Sequence, residues 1–264
     1  MPNKPQINLS PNDHTWYGWI PDIPDYRDFK YCVSPFVTKV LPTEVDLRGN
    51  DPFIFNQEAL GSCVGNASAM AHIYNQRSMS VKNLLIPSRL FIYYNARLIE
   101  GTINVDCGCQ IRNGIKVLAK VGSCSEEKWI YDISKFKKRP TLGCYWEARK
   151  HQVIEYKRLN QTLDQLKGCL AEGHPFIFGF TVFSYFQSNE VANSGTLNMP
   201  TQGEGRCGGH CVLAVGYKES EKRFIIQNSW GDDWGQKGFF TMPYDYILNS
   251  DLATDFWVIQ TVEV

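Results

Sequence analysis

Residues 56–67 read Asn56-Gln57-Glu58-Ala59-Leu60-Gly61-Ser62-Cys63-Val64-Gly65-Asn66-Ala67. Gly61-Ser62 is a turn pair. Beyond it Ala67, Met70, Ala71 and Tyr74 fall at i, i+3, i+4 and i+7, the spacing of one helix face. That spacing predicts a helix over 63–78 with Cys63 at its N-terminus. Peptide dipoles there and a neighbouring imidazolium both favour a thiolate, and together they bring a thiol down to roughly pH 3–4. Far downstream, Gly208-Gly209-His210 places a His between a Gly-Gly turn and a buried run, and Gln227-Asn228-Ser229-Trp230-Gly231 places an Asn at the end of another. Cys63, His210 and Asn228 in this order read as a thiol nucleophile, its base and the group that orients the base. Gln57, six residues before Cys63, is positioned to donate its side-chain NH₂ to an oxyanion beside the Cys63 backbone N–H, a donor typically worth about 3–4 kcal/mol. Trp230 would shield the His210–Asn228 bond from water. Singly, each piece has a plainer reading: a small buried Cys, a satisfied His, an ordinary Asn-Ser-Trp-Gly turn. In order and in context, they weigh toward catalysis.

Working outward, helices are predicted over 88–97 after Pro87, over 111–120, and over 163–171 before Gly173. Strands are predicted over 176–182, 211–217, 223–227, 238–242 and 255–261. A helical first half and a β-rich second half give an α+β fold with two lobes. Residues 1–45 differ. They hold seven of the 13 prolines, interleaved with Trp16, Tyr17, Trp19, Tyr26, Phe29 and Tyr31. Proline extends the residue before it, so this segment cannot build its own core and must lie on something else. It is either a permanent strap or a short pro-segment over the cleft. The resulting division is a leader at 1–45, a mainly helical lobe at 46–155 with the nucleophile, and a mainly β lobe at 156–264 with His and Asn.

Composition sets the outer bounds. The 264 residues are 43% hydrophobic and 20% charged, with 27 basic and 27 acidic side chains. Zero formal net charge gives no steering toward nucleic acid or an anionic membrane. The start, Met1-Pro2-Asn3-Lys4-Pro5-Gln6, has no apolar stretch of a secretory signal, and the run 176–186 is too short to span a bilayer. This leaves the compartment open, either inside a cell or packaged in a particle. Nine cysteines is an odd number, so at least one thiol stays free in a monomer. Cys107-Gly108-Cys109 and Cys207-Gly208-Gly209-His210-Cys211 have the look of zinc ligands, but the pairs are far apart and His210 is already assigned, so disulfides within Cys107, Cys109, Cys124, Cys144, Cys169, Cys207 and Cys211 are the better reading. Cys32 is a loose thiol or a bridge. Asn66-Ala67-Ser68 and Asn160-Gln161-Thr162 fit the glycosylation pattern.

From Leu41 to Val264 the chain resembles the papain-like cysteine peptidases. The matching pieces are Gln57 with Gly61-Ser62-Cys63, Gly208-Gly209-His210, Val215-Gly216-Tyr217, Asn228-Ser229-Trp230-Gly231, Trp234-Gly235 and Gly238-Phe239-Phe240. The resemblance implies a papain-like two-lobe fold, with a helical N-terminal lobe, a β-barrel-like C-terminal lobe and the active-site cleft between them. It implies hydrolysis of peptide bonds in a peptide or protein substrate through a thioester, by a monomer needing no cofactor. Cys63 is then nucleophile, His210 base then acid, Asn228 the orienting residue and Gln57 the oxyanion donor. Gly108 would pair with extended substrate, and Gly209 and Trp230 would line the cleft. Asp255 would lie near the floor of the pocket for the second residue before the scissile bond, where an acid favours a basic side chain.

The departures are informative. Leu60 and Val64 stand where the family has a Cys and an aromatic, which removes the usual first disulfide. The usual long helical propeptide is missing. Tyr17 to Asp28 resembles instead the short leader of bacterial and large-virus members, and Leu41 to Arg48 the usual mature start. The expectation is a proenzyme, covered by its own N-terminal segment as inhibitor and cut near residues 38–45. Two rival readings share the fold: ligation or transpeptidation by the same acyl chemistry, and a non-catalytic binding protein.

Overall fold

The computed structural model describes residues 17–49 and 53–263. Pro2, Pro5, Pro11 and Trp16 of the leader lie outside these residues. In chain order the elements are β1 (Trp19–Ile20), α1 (Pro35–Lys39), β2 (Glu44–Asp46), α2 (Cys63–Ser78), α3 (Arg89–Glu100), β3 (Cys109–Gln110), α4 (Ile111–Lys120), α5 (Leu142–Ala148), β4 (Val153–Arg158), α6 (Leu163–Ala171), β5 (Phe176–Phe183), α7 (Asn189–Ser194), β6 (Arg206–Lys218), β7 (Arg223–Gln227), β8 (Phe239–Pro243), α8 (Tyr244–Leu248) and β9 (Ala253–Val262). The fold is α+β. Helices α2, α4 and α6 and strand β7 have the bounds read from sequence, and α3 starts after an N-cap on Ser88 that accepts from Phe91 N.

One sheet of seven strands runs in the order β4-β9-β5-β6-β7-β8, with β2 also paired to β6. The barrel-like lobe expected from sequence is therefore a sheet that does not close. Among the described residues β4 and β8 end the order and do not pair with each other. Strand β2 pairs Glu44 with Lys218 and Asp46 with Gly216, so the chain is built into the sheet where the leader ends.

Alternation along the central strands makes two cores. Ile177, Cys211, Leu213, Val215, Ile225, Trp257 and Ile259 face the helices α2, α3 and α4. Phe176, Phe178, Phe180, Val212, Ala214, Phe224, Ile226, Phe256 and Val258 face the other way, onto α6, α8 and the aromatic groups around Phe186. This period of two is the geometry of a strand. With both faces covered, β5 and β6 read in sequence as unbroken apolar runs.

Helix α2 is buried from Cys63 to Gln76, as a helix central to a core must be. Gly65 lets the α3 backbone approach, since a Cβ there would lie 2.7 Å from Arg89 O. Asn66 is fully buried and donates to Ser62 O at 3.0 Å, so the first glycosylation pattern is closed to modification. All nine cysteines are free thiols, and no disulfide forms among those grouped in the sequence. No helix among the described residues is long and apolar enough to cross a membrane.

His72 on α2 is a structural histidine. It is fully buried, and its Nδ1 meets Gln76 Nε2 at 3.0 Å. Burial, and then the nearby His151, hold it down to about 4. The native chain thus binds fewer protons than the unfolded chain between pH 6.5 and 4. His72 contributes stability above that window and loses it as pH falls through it, by about 3 kcal/mol at most. Urea unfolding of wild type and His72→Gln at pH 7 and pH 4 should show wild type losing ground to the variant at pH 4. An unchanged difference would refute this.

Candidate active site

Cys63 opens α2, so its backbone and side chain stand at the positive end of a helix dipole. Two loops fix that end. Asp106 accepts from Gly61 N at 3.1 Å through both oxygens and is itself bound by the Tyr93 hydroxyl. Ser62 Oγ lies 2.6 Å from Tyr131 Oη, which also donates to Gln57 O at 2.6 Å.

His210 lies on β6 beside Cys211, whose backbone N–H is directed at the Cys63 sulfur. Asn228 follows the end of β7, and its N–H is held by Gly238 O at 2.9 Å. The His210 Nε2 to Asn228 Oδ1 distance is 2.8 Å. This leaves His210 Nδ1 buried with no hydrogen-bond partner among the described residues. The Trp230 ring lies over the imidazole at 5.1 Å between centroids, tilted 30°. Phe180 and Phe186 close around the same ring.

Gln57 ties the two lobes together. Its N–H donates to Ser229 O at 2.8 Å, its Oε1 accepts from Ser229 Oγ at 2.6 Å, and its Nε2 donates to Leu60 O at 2.9 Å. Asn56 forms an antiparallel bridge with Trp230. The Gln57 loop and the Asn228–Trp230 turn are thus one hydrogen-bonded unit, and Cys63, His210, Asn228 and Gln57 converge on it, all fully buried.

The leader packs on two of them, Cys63 and His210. Its residues 17–20 lie on the site itself. Gly18 N–H is directed at the Cys63 sulfur, and Gly18 O accepts from Cys109 N at 2.8 Å. A Cβ on Gly18 would fall 1.7 Å from Gly61 O, and one on Gly108 would fall 2.1 Å from Gly18 O. Strand β1 then pairs in parallel with β3. Tyr17 lies against His210 and Trp230, and Trp19 covers Gly209. Sequence proximity to Cys63 gave no sign of these contacts.

Further along, the leader is held by ions. Asp22 accepts from Arg112 N at 3.1 Å and Trp257 Nε1 at 2.8 Å, and Asp28 accepts from Arg112 Nη2 at 2.7 Å. Arg158 reaches Asp22 and Asp28 at 3.5 Å. Asp255, 2% exposed, takes Trp19 Nε1, Asp22 N and Arg158 Nη2. Its charge is thus matched inside the protein, which removes the premise for a basic side chain in that pocket. Arg112 and Arg158 escaped the sequence reading, because no local motif marks them.

The cover also changes the electrostatics. Burial pushes the Cys63 thiol up to about 11 despite the backbone N–H groups around it. Burial likewise holds His210 down to about 4, against the lift from Asn228. Desolvation disfavours both charged forms, so the covered pair is thiol and neutral imidazole rather than the thiolate expected from helix position alone. The ultraviolet thiolate absorbance of full-length wild type minus Cys63→Ala should stay flat from pH 6 to 9 and rise only toward pH 11. A Cys63 thiolate signal near pH 7 with the leader in place would contradict this.

The Papain family cysteine protease family matches residues 41–256. A peptidase C1-like protein of Acanthamoeba polyphaga mimivirus is 44% identical over 215 residues, covering 78% of this chain and 69% of the viral one. The crystal structure of xylellain, a cysteine protease from Xylella fastidiosa, superposes with a TM-score of 0.88 at 43% identity, over 94% of this chain and 97% of that one. A procathepsin B from Trypanosoma congolense shares the fold at 16% identity, with a TM-score of 0.76 over 96% of this chain and 88% of its own. The chain is a papain-family cysteine protease, a hydrolase of the thiol class.

Proposed function

We propose that this chain is a cysteine endopeptidase made as a proenzyme, with residues 1–45 as a leader across the cleft between the lobes at 46–155 and 156–264. The observation that carries the reading is Gly18. An extended peptide already lies on the Cys63 sulfur, bonded through its carbonyl to Cys109 N. A cleft that seats one extended backbone in this way is shaped for another.

In the uncovered site, Cys63 Sγ attacks the scissile carbonyl carbon and its proton passes to His210 Nδ1, the ring nitrogen that Asn228 leaves unoccupied. Asn228 fixes the tautomer through Nε2. The oxyanion is received by the Cys63 N–H and the Gln57 amide. The amine leaves with the proton from His210, and water cleaves the thioester with His210 as base. Gly108, Gly209 and Trp230 contact the leader or border it, and would contact substrate in the same places.

The place of the cut fits the same reading. Phe36 and Val40 are 84% and 81% exposed, whereas Pro42 O and Thr43 O accept from Tyr217 Oη and Glu219 N. Cleavage just before Pro42 would free the leader and leave β2 in the sheet.

On incubation, wild type should lose the leader by cleavage within residues 38–45 and Cys63→Ala should not. Identical processing, or none under any condition, would make the leader a permanent strap. Gly18→Val cannot seat against Gly61 and should label at Cys63 with an epoxide probe at least about tenfold faster than wild type at neutral pH. An unchanged labelling rate would count against the leader as cover. Gln57→Ala should lower kcat/KM on a peptide by about 10²-fold or more. A loss of less than about threefold would remove it from the oxyanion site.

A further inference from the structure

The indole of Trp19 is seated on the sheet beside His210. It rests on bare backbone: a Cβ on Gly179 would fall 2.0 Å from indole Cε2, and one on Gly209 would fall 2.7 Å from Cε3. At the floor, Trp19 Nε1 donates to Asp255 Oδ2 at 3.2 Å, beside Asp22 N at 2.8 Å. An unpaired carboxylate buried so deeply would draw in a cation. Asp255 is not unpaired. Arg158 Nη2 holds its other oxygen, Oδ1, at 2.7 Å. Arg158 ends β4 and pairs across to Trp257 on β9, and Asp255 lies on β9 itself. This ion pair therefore joins neighbouring strands of the sheet, and both of its members lie outside the leader.

Removal of the leader sharpens the point. Arg112 and Arg158 then lose Asp22, Asp25 and Asp28 together, while Asp255 keeps Arg158. Of the groups that pair here, two cations and one anion remain. A substrate lysine or arginine would add a third cation to a carboxylate already matched. A phenylalanine would leave Asp255 Oδ2 without the donor that Trp19 and Asp22 provide.

We propose that the Asp255–Arg158 pair makes a charge-matched pocket for a flat aromatic side chain bearing an N–H or O–H donor, tryptophan or tyrosine, and that Arg158 is the residue that keeps lysine and arginine out. The assignment rests on the peptidase reading above and deepens it. Trp19 is the leader's own copy of the selected side chain. Arg158 acts through Asp255, as a positioning residue for the carboxylate.

The test compares kcat/KM for peptides that differ only at the second residue before the scissile bond: Trp, Tyr, Phe or Arg. Full-length protein serves, with active sites counted by epoxide labelling of Cys63. A covering leader lowers every peptide by the same factor, so the ratios survive it. Wild type should favour Trp and Tyr over Arg by about tenfold or more, and over Phe severalfold. Arg158→Met should move the Arg-to-Trp ratio toward Arg by about tenfold or more, and Arg158→Lys, which keeps the charge, should stay within about threefold of wild type. A merely structural role for Arg158 would lower all four peptides alike. Wild type that takes Arg as well as Trp overturns the proposal, with or without folded variants. So does an unchanged ratio in labelled Arg158→Met. A chain that labels at Cys63 but fails these ratios loses this assignment alone; a chain that never labels loses the peptidase reading as well.

Discussion

Strands β5 and β6 are buried on both faces, and the site depends on that constraint. One face carries α2 and therefore Cys63. The other carries the aromatic cluster of Phe180, Phe186 and Trp230 that encloses His210. His210 and Cys63 thus come from a strand and from the helix packed against it, set by a core that tolerates little movement. The turn at Asn228 and the loop at Gln57 add hydrogen bonds rather than apolar area, and they close the joint between the lobes at its edge.

Much of this was legible in the sequence where signals are local. Gly61-Ser62 followed by apolar residues at helical spacing fixed both ends of α2, and polar turns bracketed β7. Helix α5 and strand β4 left no such trace. Leu142, Trp146 and Ile154 are apolar yet 73%, 68% and 62% exposed, so their apolar residues mark no buried face. The four residues at the site were readable because each sits in a short distinctive context. Arg158 and Trp19 were not, because their partner Asp255 is 97 and 236 residues away in the chain. Electrostatic pairing between distant segments has no periodicity to read.

The state of Cys63 shows where sequence reasoning needs the fold. A helix N-terminus lowers a thiol pKa, and burial raises it. The sequence exposes the first effect and hides the second, because the groups that desolvate the site, the leader among them, come together only in the fold. Here burial wins, and the resting pair is uncharged.

The leader is fastened mostly by side chains and by few backbone bonds: Asp22 and Asp28 on Arg112, Tyr31 and Ser34 N on Glu172. Those contacts do not include the exposed segment before Pro42. A single cut there breaks no contact at the cleft, yet it changes the physics of the cover. An attached segment meets its site at an effective concentration of about millimolar. A severed one meets it at the concentration of free peptide. On the proposed proenzyme reading, activation would have two stages, scission followed by dilution, and a crowded, freshly cut population would stay quiet until it spread out.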